Sequence, residues 1–107
     1  TPIYFNINRG GDTEEIVNQH CYKVGSLVHI EFTAARSVAT SMDSVWAIIP
    51  RGYLPSSDVV TGLINRSDGE SRAVACNIAP DTGYLSQVVF NSIPANLSTA
   101  FYVEYYV

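Results

Sequence analysis

The chain has 107 residues, of which 47% are apolar and only 15% charged, with six Lys/Arg against ten Asp/Glu. That is one ordered domain, large enough to bury a core without disulfides. A net charge of -4, a single lysine (Lys23) and no cationic cluster exclude a nucleic-acid binder and leave little to attract an anionic membrane.

Alternation with period two runs along the chain. A first strand is predicted over 3–7, closed by Arg9-Gly10-Gly11-Asp12. Glu14-Glu15-Ile16 can start a short turn of helix and no more. Gly25-Ser26 separates strands over 17–24 and 27–34, the two-residue hairpin pattern with glycine leading. In the second of these, Val28, Ile30 and Phe32 share a face, opposite Leu27, His29, Glu31 and Thr33.

After Trp46 comes Ile48-Ile49-Pro50-Arg51-Gly52-Tyr53-Leu54-Pro55. Two prolines this close exclude a helix and set a rigid extended corner, which divides the chain into two β-rich halves. Ser67-Asp68-Gly69-Glu70 separates strands over 58–65 and 71–79. Pro80-Asp81-Thr82-Gly83 leads into a strand over 84–90. Ser92-Ile93-Pro94-Ala95-Asn96 leads into a last strand, with Phe101, Val103, Tyr105 and Val107 on one side and Tyr102, Glu104 and Tyr106 on the other. About eight strands at this spacing predict an all-β fold, an antiparallel sandwich or squashed barrel with jelly-roll-like connections. One domain is expected over 1–107, with 1–19 as an N-terminal strand and loop. The predicted core is Val28, Ile30, Phe32, Val74, Ile78 and Val103. No repeat is visible.

No apolar run is long enough for a transmembrane helix, and Thr1-Pro2-Ile3 does not open a signal peptide. The absent initiator methionine is expected of an excised fragment or a processed product. Cys21 and Cys76 read as buried free thiols rather than a disulfide, and neither belongs to a metal-type pair.

Little in the chain points to catalysis. His20 and His29 are the only histidines, and no Gly-x-Ser-x-Gly elbow exists. His29 shares a strand face with Glu31, the pattern of a surface or interface pair. Asp43, Asp58, Asp68 and Asp81 sit in or beside turns, where aspartate bonds local backbone. No catalytic residue, cofactor or metal site is therefore expected. For binding, Trp46 offers a flat face for a pyranose, although core is the commoner role for such a residue. Arg51 and Tyr53 in the corner, and Arg66, Asp68 and Arg72 around one hairpin, are the polar candidates, because loops on a rigid β scaffold commonly bind ligands. Tyr102, Tyr105 and Tyr106 can stack on a sugar, although packing or a subunit interface is the commoner role of such tyrosines.

Three segments carry a resemblance. Cys21-Tyr22-Lys23-Val24-Gly25-Ser26-Leu27-Val28-His29-Ile30 looks like an aromatic, Val-Gly-Asn, Leu-Val hairpin. Ala47-Ile48-Ile49-Pro50-Arg51-Gly52-Tyr53-Leu54-Pro55 looks like a Leu-Pro-x-Gly-Tyr-x-Pro corner. Asn77-Ile78-Ala79-Pro80-Asp81-Thr82-Gly83-Tyr84-Leu85 looks like an Ile-x-x-x-Gly-x-Leu hairpin. In this order they resemble the C-terminal head domains of bacteriophage tail fibres and receptor-binding proteins, over about residues 20 to 107. Ser26 stands where such heads often carry asparagine, Leu54 where they often carry arginine, and Thr82 adds a residue to the last turn.

The resemblance implies a non-enzymatic head at the tip of a virion's tail fibre or baseplate, beside other tail proteins. It implies binding of a host cell-wall or capsular saccharide and no membrane insertion. The alternatives are a structural trimerisation module of the baseplate or fibre, or a carbohydrate-binding module of a secreted enzyme. A homotrimer is expected from the resemblance. It is also expected from the low charge, the many tyrosines, and strands apolar on both faces (Leu27 opposite Val28, Tyr102 opposite Val103).

Overall fold

The computed structural model describes residues 1–11, 13–39, 44–57, 59–69, 71–87 and 93–107, without the side chains of 59, 71–75 and 87. Nine antiparallel strands form one curled sheet, a half-barrel, and no helix occurs among the described residues. In chain order they are β1 (Ile3–Phe5), β2 (Asn8–Arg9), β3 (Thr13–Val24), β4 (Leu27–Arg36), β5 (Ala47–Ile48), β6 (Val59–Arg66), β7 (Ser71–Ile78), β8 (Tyr84–Gln87) and β9 (Thr99–Tyr106). Asp43, Asp58 and the predicted strand tail at 88–90 lie outside the described residues, as do the side chains of Arg72 and Val74.

The sheet order is β1-β3-β4-β9-β6-β7-β8-β5-β2. Its two edges are consecutive pieces of one segment. β1 pairs with the end of β3 (Phe5↔Cys21) and β2 with β5 (Arg9↔Ala47). The predicted first strand therefore splits at Asn6-Ile7, which raises the count from eight to nine. A bulge in β3 between Val17 and His20, with Asn18 at φ 54°, bends the strand opposite this split. There Gln19 Oε1 accepts the Ile7 N–H at 3.0 Å, doing the work of a strand carbonyl. One segment thus supplies both edge strands of the sheet, each short.

Taking β1 and β2 as one strand, each half of the chain is a Greek key, in spatial order fourth-first-second-third. The first half reads β5, β1/β2, β3, β4; the second reads β9, β6, β7, β8. The third strand of each half pairs with the fourth of the other, β4 with β9 and β8 with β5. A jelly roll pairs its first strand with its last; here β9 lies between β4 and β6, so the expected jelly-roll-like connections give way to two Greek keys in succession. The common topology is not visible as a sequence repeat.

The turns are those the glycines require. Gly25 (φ 60°) leads the two-residue β3–β4 turn. Gly52 (φ 96°) is the third residue of a turn closed by Tyr53 N–H to the Pro50 carbonyl. The core holds Val28, Ile30, Phe32, Ile78 and Val103 as expected, with Trp46, Ile49, Ile64, Leu85, Ile93 and Phe101. Phe32 and Phe101 stack at 4.8 Å, and Trp46 tilts onto Phe101 at 4.9 Å. Cys21 and Cys76 are free and buried. The short helical turn expected at Glu14-Glu15-Ile16 is instead strand: it lies in β3, and Glu15 and Ile16 pair with Ala35 and Ala34. Cross-strand pairing overrides the local helix preference of two glutamates.

Candidate functional site

An open cleft of about 710 Å³ lies where β2 and β4 end, and runs across β5 to the start of β8. Arg9, Gly10 and Gly11 form one side; Arg36, Ser44 and Val45 form another; Ile48 and Tyr84 complete it. The walls are fixed through Trp46, whose carbonyl accepts both the Gly10 N–H (3.1 Å) and the Thr13 hydroxyl (2.9 Å), while its N–H donates to Leu85 (2.8 Å). Gly10 is pressed onto the opposite wall. A Cβ there would stand 2.1 Å from the Val45 carbonyl oxygen, so only glycine fits.

The two arginines differ. Arg36 is 5% exposed, its guanidinium lies 5.8 Å from the Trp46 ring centre, and Nη1 donates to the Val45 carbonyl at 2.6 Å. It is a fixed charge in the cleft wall. Arg9 is exposed and is held by one bond, from Nη1 to the Glu14 carbonyl. Tyr84 is 46% exposed and stands opposite Ile48. Two of the chain's six Lys/Arg thus line one cleft in a protein of net charge -4, and no Asp or Glu lines it among the described residues. The set suits an oxygen-rich ligand: planar donors for hydroxyl or acidic oxygens, and an aromatic face for sugar C–H groups.

A second, shallower groove of about 420 Å³ crosses the outer face of β4, β9 and β6, lined by His29, Thr61, Gly62, Leu63, Tyr102 and Glu104. His29 Nδ1 lies 2.8 Å from Glu104 Oε2, and Nε2 lies 3.0 Å from Glu31 Oε1. Its ring stacks on Tyr22 at 4.9 Å. The expected His29–Glu31 pair is therefore present and gains Glu104 from the neighbouring strand. Cross-strand rows on this face read Tyr4–Tyr22–His29–Glu104, Val24–Leu27–Tyr106 and His20–Glu31–Tyr102–Leu63. Among the described residues no cluster of three His, Cys, Asp or Glu is placed to hold a metal.

The binding residues read from the sequence do not converge. Trp46 is 0% exposed, and as a core residue it offers no face to a sugar. Burial of the large ring against Phe101 wins over exposure. Tyr53 is half buried, stacks on Phe5 at 3.9 Å, and its carbonyl accepts the Tyr105 hydroxyl. Arg51 is exposed in the Pro50–Tyr53 turn. Arg66 grips Asp68 with two bonds, Nε to Oδ1 at 3.2 Å and Nη2 to Oδ2 at 2.5 Å, within the β6–β7 turn. Arg72 stands on β7 opposite Ile64. That hairpin turn lies beside the start of β9 (Ser67 N–H to Ser98), whereas the corner packs beside the end of β9 at Tyr105. The two groups therefore sit at opposite ends of the sheet.

Sequence reading missed Arg9, Arg36 and Tyr84. The signal was faint: an arginine before Gly-Gly and another at a strand end. Only the Greek-key crossover brings them together. Comparison of the chain with protein-family models, with curated proteins and with solved structures finds no match in any of the three.

Proposed function

We propose that this domain is a non-enzymatic adhesion head that binds a bacterial surface saccharide, as the head of a phage tail fibre or receptor-binding protein does. It would act at the tip of the virion's tail or baseplate, as a homotrimer, with its ligand in the Arg9–Arg36–Tyr84 cleft. The observation that carries the reading is that cleft: an arginine with free donors and a half-exposed tyrosine, set on a rigid β scaffold. A second support is that the three head-like motifs meet in space. Gly83 packs on Ile49, Tyr53 accepts from Tyr105, and Tyr105 pairs with Val28.

The trimer surface is the outer face of β3, β4, β9 and β6. Val17, Val24, Leu63, Tyr102 and Tyr106 are exposed on it, with Tyr4 beside them on β1. Its central polar side chains are His29, Glu31 and Glu104, with the imidazole within hydrogen-bond distance of both carboxylates. Four strands of about eight residues cover roughly 500 Å² in projection on each copy. The same face favours a second reading, a purely structural trimerisation module.

Binding of labelled domain to whole bacteria, with soluble cell-wall polysaccharide as competitor, separates the two. Binding that the polysaccharide abolishes supports the adhesion head. A trimer that binds no cells supports the structural module.

A further inference from the structure

We infer that the cleft is built for a negatively charged saccharide, with Arg9 holding its acidic group and Tyr84 packing against its ring. The inference deepens the saccharide-binding reading and rests on it. A guanidinium carries five N–H groups in a planar fork, and Arg9 spends only Nη1, on the Glu14 carbonyl. The rest of the fork faces open cleft or solvent, the arrangement that grips a carboxylate or phosphate through two parallel bonds. Arg36 adds a second positive charge to the described lining, with Nη1 on the Val45 carbonyl and its guanidinium 5.8 Å from the Trp46 ring centre.

The wider field is the opposite, since the chain carries a net charge of -4. Screening decides between them. At physiological salt the Debye length is about 8 Å, so remote carboxylates are largely damped while groups lining the cleft are felt in full. The described lining has two cations and no Asp or Glu. A neutral sugar would offer Arg9 only hydroxyl acceptors. An acidic sugar offers charge-assisted bonds roughly twice as strong, which corresponds to a preference of about tenfold. The cleft is sized for one or two sugar rings, and Tyr84 and Ile48 supply the apolar side that an inorganic anion cannot use. Gly10 holds the Arg9 backbone against Val45, so the fork is presented from a fixed base. A uronic acid and a phosphorylated sugar share this chemistry.

The test is an NMR titration of the full chain, following backbone amides, with glucuronate, glucose 6-phosphate, glucose and inorganic phosphate as probes. Glucuronate or glucose 6-phosphate should shift the amides of Arg9, Gly10, Gly11 and Tyr84, at least tenfold more tightly than glucose. The stronger of the two identifies the acid the cleft prefers. Arg9→Gln should erase that difference with an unchanged thermal midpoint, and Arg9→Lys should restore only part of it, because a point charge lacks the fork. Equal binding of glucose and glucuronate would overturn the inference while leaving a saccharide site in place. Inorganic phosphate binding as tightly as glucose 6-phosphate would overturn it in favour of a bare anion site. No shift at these amides with any probe would overturn it too; whole-cell binding that polysaccharide still competes would then place the saccharide elsewhere on the domain.

Discussion

Gly83 lies against Ile49 so closely that a Cβ on it would stand 2.1 Å from the Ile49 carbonyl oxygen. The Ile49 N–H donates to the Gly83 carbonyl at 2.8 Å, and Gly83 itself has φ 77°. This contact joins the proline corner of the first half to the β7–β8 turn of the second. Gly83→Ala meets both a left-handed backbone and a clash with main chain. It should cost about 2 kcal/mol or more, read as a lowered midpoint in denaturant with an unchanged slope. Gly69, also left-handed (φ 99°) but with open space around its Cβ site, should cost less when replaced by alanine.

The Tyr105 hydroxyl donates to the Tyr53 carbonyl while Phe5 stacks on the Tyr53 ring. One contact therefore ties the last strand, the corner and the first strand together. Tyr105→Phe leaves a half-buried carbonyl without its donor and should cost about 1 kcal/mol. Amide exchange should quicken at β1, which has only three residues of pairing, before it quickens at β4. An effect confined to β9 would show that the latch does not hold β1.

Burial pushes the Cys76 thiol from 9.0 up to about 12. Between these values the unfolded chain has lost a proton that the folded one keeps. Stability should therefore fall as pH rises from 9 toward 12, by on the order of 1 kcal/mol per pH unit from this group. Tyr105, also raised by burial, adds to the fall above pH 10. Cys76→Ala should flatten the alkaline limb of a stability-pH profile, whatever its effect at neutral pH. An unchanged limb would mean that the thiol is already ionised in the folded protein.

Self-association through the β3-β4-β9-β6 face should give a particle of about three times the 11.7 kDa chain mass in light scattering at micromolar concentration. Leu63→Glu with Tyr102→Glu places two new charges in the outer rows and should release monomers that keep their fold. A wild-type monomer would remove this face as the trimer surface.

Much of the fold was legible. Alternation in β4 and β9 gave the inward sets Val28-Ile30-Phe32 and Phe101-Val103-Tyr105, because a half-buried antiparallel strand writes its two faces into the sequence. Glycine and proline marked the turns. The split of the first strand was not legible, since it depends on where two sheet edges meet across Gln19. Nor was the strand at Glu14-Glu15-Ile16, whose pairing partner is twenty residues away in β4. The site was the least legible part. Loop chemistry pointed to Arg51, Arg66 and Asp68, but these lie at two ends of the domain, and Arg66 and Asp68 hold each other. The cleft residues come from β2, β4 and β8, and their proximity is a property of the crossover between Greek keys, which no local pattern encodes.

The central claim is that the Arg9–Arg36–Tyr84 cleft is where the domain grips a bacterial surface. The most direct measurement is binding to whole cells by wild type, by Arg9→Gln with Tyr84→Ala, and by Asp68→Ala, each at the same oligomeric state and with its thermal midpoint recorded. The cleft variant should lose nearly all cell binding while staying folded, and Asp68→Ala should bind as wild type does. A folded cleft variant that binds cells at wild-type strength would contradict the account, and retention there with loss in Asp68→Ala would move the site to the β6–β7 turn.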